Sequence, residues 1–223
     1  MAISEADIEL NELPAEVPIF PLTGALLLPG GHLPLNIFEP RYIAMTDAAL
    51  GRGRWLGMVQ PRDTAEQTVG DHHPVFPVGC LGRIVAFKET EGGRYLITLE
   101  GVCRFRIERE LELRDNYRAA EARYGGFAND LEPGALTAEA RDALVGALKA
   151  YFDDRGFDAD WAALDAMADD VLVASMAMAC PFSAAEKQAL LEAPGLNERA
   201  QSLITILNMA AHSAAPTEDK PAH

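Results

Sequence analysis

Asp71, His72 and His73 are the cluster in this chain whose side chains could hold a metal ion. Adjacent histidines on an extended loop point to opposite sides, so further ligands would have to come from elsewhere, and solvated loop residues are the plainer reading. A metal hydrolase built on His72 and His73 is the minor alternative. Gly51-Arg-Gly-Arg54 has the glycine spacing of half a dinucleotide fingerprint, but it follows a helix and precedes a strand. That order cannot aim a helix terminus at a pyrophosphate. A nucleophile needs a base and an orienting group, and no Gly-x-Ser-x-Gly elbow is present. Ser183 is spaced to cap a helix, Cys103 alternates with core residues and Cys80 sits in a strand, so each thiol reads as a small hydrophobe. Asp153-Asp154 and Asp169-Asp170 are neighbours in sequence, and successive helix positions diverge by about 100°, which suits solvent better than a shared proton. No catalytic residue, metal site or cofactor follows from these residues.

The bulk composition narrows the partners. The 223 residues carry 19 Lys and Arg against 34 Asp and Glu, a net charge of −15, so the average surface repels phosphate and nucleic acid is excluded as the expected partner. With 49% hydrophobic and 24% charged residues the chain is composed like a folded soluble protein. The acidic first residues lack a secretory leader's basic start and apolar run, and the apolar run 171–180 is half what a bilayer requires, so no membrane and a cytoplasmic location are expected. Three widely spaced cysteines suggest neither a disulfide framework nor a zinc knuckle.

These residues are carried by two textures of sequence. From 14 to 126, Gly and Pro interrupt β-branched and aromatic pieces with period-two alternation, which predicts strands over 17–20, 33–37, 55–60, 78–88, 94–99, 102–110 and 117–124. In 102–109, Cys103, Phe105 and Ile107 point one way, and Arg104, Arg106 and Glu108 the other, toward solvent. Gly92 and Gly93 predict a tight hairpin. A helix interrupts this half from Pro40 to Gly51, and 61–77 reads as a mobile loop. After a linker at 127–134, residues 135–211 turn helical. Thr137 caps a first helix stopped at Gly156, a second runs 161–179, Ser183 and Glu186 form a capping box, and a last helix opens at Asn197. Residues 1–13 are expected to be flexible and 212–223 disordered. The fold class is α+β: a strongly curved antiparallel or mixed sheet, or pseudo-β-barrel, followed by a helical bundle.

Pro18-Ile-Phe-Pro-Leu22, Leu28-Pro-Gly-Gly31 and Leu33-Pro-Leu-Asn-Ile-Phe-Glu-Pro-Arg-Tyr42 occur within 25 residues, and Val78-Gly-Cys-Leu-Gly-Arg-Ile-Val85, Gly93-Arg-Tyr-Leu-Ile-Thr-Leu-Glu-Gly101 and Arg104-Phe-Arg-Ile107 follow in order. With Phe182-Ser-Ala-Ala-Glu-Lys-Gln-Ala-Leu-Leu-Glu192 they resemble the amino-terminal domain family of Lon proteases over about residues 14–211. The signature positions include Pro21, Pro29, Gly30, Phe38 and Glu39. Pro40, Arg41, Tyr42, Gly101 and Phe105 complete them. Phe38 can staple the entering strand onto the helix, with Glu39 at its positive end. Asn36 and the acidic 115–116 region depart from the family pattern.

The resemblance implies recognition of protein substrates, and since the chain stops at His223, short of the ATPase and Ser–Lys protease parts, it implies a non-enzymatic module that binds unfolded or exposed apolar protein segments. The expected contact surface is the 26–34 turn, with Leu26, Leu27, Leu28 and Pro29, together with Met58 and the 61–77 loop, although the three leucines read equally as core. The alternative is an adaptor that docks on a protease or on itself through the helical half, where the apolar stretch 167–178 exceeds what one helix face needs.

Overall fold

The computed structural model describes residues 9–62 and 73–212. Among the described residues six strands are formed: β1 (Glu16–Pro21), β2 (His32–Ile37), β3 (Trp55–Val59), β4 (Val78–Thr90), β5 (Arg94–Glu110) and β6 (Arg118–Arg123). Their order is β2-β5-β4-β3-β1-β6, and β6 also pairs with β5. That last pairing closes a barrel of β1, β3, β4, the second half of β5 and β6, while β2 and the first half of β5 extend from it as a wing. All ladders are antiparallel except β1 with β3. The expected mixed sheet and pseudo-barrel are therefore present.

The wing and the barrel share one strand. Sequence divides 94–99 from 102–110 because Gly101 reads as a breaker, yet β5 runs through it, bending where its register against β4 shifts between Leu81 and Gly82. Gly101 is needed because the 26–31 turn lies on it: Gly30 donates to the Gly101 carbonyl at 2.9 Å and Gly101 to the Gly31 carbonyl at 2.8 Å. A Cβ at Gly101 would lie inside the Leu28 carbonyl. Within the barrel, Gly57 and Gly79 leave room for Phe105, whose ring would sit 2.8 and 2.9 Å from added Cβ atoms.

In the barrel, β3 and the start of β4 are covered on both faces. Val17, Ile19, Val59, Leu81, Cys103, Phe105, Ala120 and Tyr124 fill the barrel. Phe20, Leu56, Met58, Val78 and Cys80 face outward into a second cluster shared with the helices. This burial on two sides explains why β3 reads as a continuous apolar run rather than an alternation.

Helix α1 (Pro40–Leu50) starts with its proline in the first turn and ends at Gly51. Helices α2 (Ala138–Arg155), α3 (Trp161–Asp165), α4 (Asp169–Ala179), α5 (Ala184–Glu192) and α6 (Leu196–His212) make the second half. Thr137 caps α2, Gly156 ends it in the left-handed region at φ 66°, and Ser183 with Glu186 forms the capping box of α5.

Four expectations need correction. The stretch 161–179 is two helices, because Arg141 takes the carbonyls of Asp165 and Met167 at the break and pairs with Asp169. Residues 9–13 are not loose: Leu10–Glu12 form a 3-10 turn and Leu13 is buried against the barrel cluster. Phe38 does not staple the helix; it is 60% exposed, because the outward turn at Phe38 and Glu39 leaves its ring in solvent. Arg104 is not solvated but buried, because the helical half covers the outer face of β5 there. Residues 1–8 and 213–223 lie outside the described residues.

Gly101→Ala is expected to lower stability by about 3 kcal/mol or more, because a backbone carbonyl must move. Gly30→Ala, at φ 75° but with open space around it, is expected to cost only about 1–2 kcal/mol. Urea midpoints of the two variants check the difference.

Candidate functional site

Four of the expected contact residues do not reach the surface. Leu26, Leu27, Leu28 and Met58 are buried, the leucines because glycines at 82 and 101 let their turn settle onto the sheet. Pro29 is only partly covered. Three consecutive leucines were ambiguous in sequence, and the sheet resolves them as core.

The candidate nucleophiles and metal ligands are likewise placed. Burial pushes the Cys80 thiol well above its ordinary value, Cys103 to about 12 and Cys180 to about 11, so none is a thiolate near neutral pH. The Ser183 hydroxyl is held by Glu186 at 2.6 Å in the helix cap. Asp169 accepts from the Leu136 N–H and pairs with Arg141, which holds its carboxyl below the usual range, while Asp153 and Asp154 are exposed. Gly51 to Arg54 form a tight turn with positive φ at Gly53 and Arg54. Asp71 and His72 lie outside the described residues, and His73 is exposed. Among the described residues no group of three His, Cys, Asp or Glu side chains could hold a metal ion.

What the fold does assemble is a cleft of about 540 Å³. Pro21 at the end of β1, Glu39 to Tyr42 at the start of α1, Pro61 after β3, Leu113, Asn116 and Tyr117 between β5 and β6, and Arg118 at the start of β6 line it, with His73. Five of the signature positions, Pro21, Glu39, Pro40, Arg41 and Tyr42, thus meet there. Each wall is fixed by its own contacts. Arg41 grips Glu39 at 2.8 Å and lies 4.8 Å over the Tyr42 ring, whose centroid is 4.2 Å from that of Phe20. Arg118 holds both oxygens of Glu110, at 2.9 and 2.6 Å, and donates to the His73 carbonyl at 2.9 Å.

Pro61 follows Gln60, whose buried amide accepts from Gly24 N–H at 2.9 Å and donates to the Ala184 carbonyl at 2.7 Å. The far rim is a two-residue turn at Asp115 and Asn116, with φ 47° and 65°, closed by mutual hydrogen bonds of Arg114 and Tyr117. Asp and Asn tolerate that region better than other side chains, so the departure at 115–116 is turn chemistry. Leu113, 45% exposed, stands on this rim.

Pro61 and His73 belong to the 61–77 loop that the sequence already offered as contact surface, whereas Leu113, Asn116, Tyr117 and Arg118 were not read as part of a site and become its neighbours only when β6 returns beside β1. The Asp-Asn pair was the one local signal of that return. Chemically the cleft offers apolar walls and a rim of ion pairs already satisfied within the chain. It can hold an apolar group and orient it.

No helix among the described residues is long and apolar enough to cross a membrane. Residues 16–209 match the family described as the ATP-dependent protease La (LON) substrate-binding domain. Lon protease 2 of Sorangium cellulosum is 29% identical over 199 residues, covering 86% of this chain and 24% of the relative. Lon protease of Flavobacterium johnsoniae is 23% identical, covering 92% and 25%. The chain thus spans about a quarter of the length of the curated relatives it matches.

Among solved structures, the Lon N-terminal domain protein of Xanthomonas campestris is similar at a TM-score of 0.60 with 21% identity, covering 85% of this chain and 97% of that one. The N-terminal domain of Mycobacterium avium complex Lon protease is similar at 0.62 with 20% identity, covering 86% and 98%. These likenesses show the fold, and the match over 16–209 shows the family: the chain belongs to the Lon substrate-binding domains.

Proposed function

We propose that this chain is a non-enzymatic module that captures exposed apolar segments of other polypeptides, with the cleft beside α1 as its grip. The observation that carries this reading is the convergence of Pro21 and Glu39 to Tyr42 with the distant rim residue Leu113 on one cleft. Leu113 on the rim is 45% exposed, and Phe38, which precedes Glu39 in sequence, is 60% exposed. Large apolar side chains kept exposed beside a concave apolar wall are what a binding surface needs.

Protein quality control is the setting such a module fits, and the family's place in Lon proteases supports it. The apolar excess of α4 does not itself offer an adaptor face, since it is covered inside the chain: Leu172, Val173, Ala174 and Ala177 are buried, and Met178 packs on Gly31.

Leu113→Asp is expected to leave the fold intact and weaken capture of a fluorescently labelled, reduced and alkylated polypeptide by about tenfold, close to 1.4 kcal/mol. Leu96→Asp, on the exposed face of the wing, is expected to change it little. Anisotropy titrations read both. Unchanged binding in Leu113→Asp, or a loss confined to Leu96→Asp, removes the cleft from the function.

A further inference from the structure

The charge of this chain is unevenly distributed. Among the described residues before 127, acidic and basic side chains are equal in number, whereas 127–212 carry fourteen acidic against five basic. The excess gathers where α2 ends. Asp153, Asp154, Asp158 and Asp160 are exposed there, against Lys149 and Arg155.

An aromatic cluster sits among these carboxylates. Gly156 turns the chain out of α2, and Phe157 donates its N–H back to the Phe152 carbonyl at 2.9 Å. The Phe157 ring stands perpendicular to Phe152 at 5.9 Å and 6.4 Å from Tyr151, and Trp161 lies 5.7 Å from Phe152. Phe152 and Trp161 are half-buried, but Phe157 remains 49% exposed. A hydrophobic residue after a helix-ending glycine ordinarily packs back on the helix, and this one does so with only part of its ring.

The resident cations show what such a surface accepts. Lys149 lies 5.4 Å over Trp161 and Arg155 lies 5.5 Å over Tyr151. Arg155 also pairs with Asp154 at 3.6 Å and donates to the Ala210 carbonyl at 3.1 Å, so both are already engaged. Among the described residues neither Asp153 nor Asp158 has an ion-pair partner.

We propose that this end of the helical half, centred on Phe157 and flanked by Asp153 and Asp158, is a docking surface for a basic segment of another protein with an apolar residue between its Lys or Arg side chains. Charge complementarity selects that occupant. An acidic or neutral apolar segment would meet unneutralised carboxylates around Phe157, whereas a basic one gains both ion pairing and contact between its cations and the aromatic faces. The surface is separate from the cleft and needs no client there.

The chain has two tryptophans, so a Trp55→Phe variant leaves Trp161 as a reporter within the surface. Titrating the whole variant with a short peptide alternating lysine and leucine is expected to shift Trp161 emission. Adding Phe157→Ser with Asp153→Asn and Asp158→Asn is expected to weaken binding about tenfold or more, as is raising salt from low to several hundred millimolar. A glutamate–leucine peptide is expected to leave Trp161 emission unmoved, and Leu113→Asp to leave the affinity read by Trp161 unchanged. Equal binding of the acidic peptide, no loss in the triple variant, or a loss that follows Leu113→Asp overturns the proposal.

Discussion

A guanidinium buried between a barrel strand and a helix end sets the arrangement of everything else. Arg104 projects outward from β5, its side chain 2% exposed, onto Asp130 at 7%. All of its five N–H donors are taken: two by the carboxylate of Asp130, both at 2.8 Å, and three by the carbonyls of Leu191, Ala193 and Pro194. Its flat face lies 4.8 Å from the Phe127 ring. Those carbonyls close α5, where the helix dipole is negative and acceptors lack helical partners. Arg199 adds a hydrogen bond to Leu190 at 3.0 Å, its pKa lowered to about 10 by burial and then by the neighbouring Arg104, so it stays charged near neutral pH. A buried pair of this kind adds little net stability over an apolar replacement, but removing one partner costs about 3–5 kcal/mol. In this seating of the helices all five Arg104 donors are satisfied, whereas one terminal nitrogen of Arg199 is left without a hydrogen bond.

That seating positions the cleft. Arg104 fixes the turn after α5 against β5, and at the other end of α5 the Ala184 carbonyl receives the Gln60 amide. Gln188, between them, donates to Val78 and Glu192. Helix α5 is therefore pinned along its length to β3, β4 and β5, and Pro61, next to Gln60, inherits its place in the cleft wall. The glycines act in the same sense, since Gly101 and Gly82 admit the leucine turn while Gly57 and Gly79 admit Phe105. Core and cleft are set by close approaches that leave little freedom to the strands between them.

Much of this was legible in the residues. Period-two alternation located the strands, Pro40, Thr137, Ser183 and Gly156 marked helix ends, and the linked proline and glycine motifs indicated the family. Long-range partnership was not legible. Arg104 alternates with Cys103 and Phe105 as any solvent-facing arginine would, and nothing local says that a helix end covers it or that Asp130, in what reads as a linker, is its counterion. Leu26 to Leu28 failed for the opposite reason: an apolar run looks the same on a contact surface and in a core, and the deciding partners are glycines more than fifty residues away. The cleft was half visible, through Pro21 and Glu39 to Tyr42, and half hidden, because Leu113 and Arg118 join it only by barrel closure.

The most direct test of the role given to Arg104 follows unfolding in the barrel and in the helical half separately. Trp55 and Trp161 report the two halves, each alone in a chain lacking the other. With Arg104 present, the two urea transitions are predicted to coincide. With Arg104→Met, the Trp161 transition is predicted to move to lower urea ahead of that of Trp55. Transitions that still coincide at an unshifted midpoint in Arg104→Met would contradict the claim that this one side chain joins the halves.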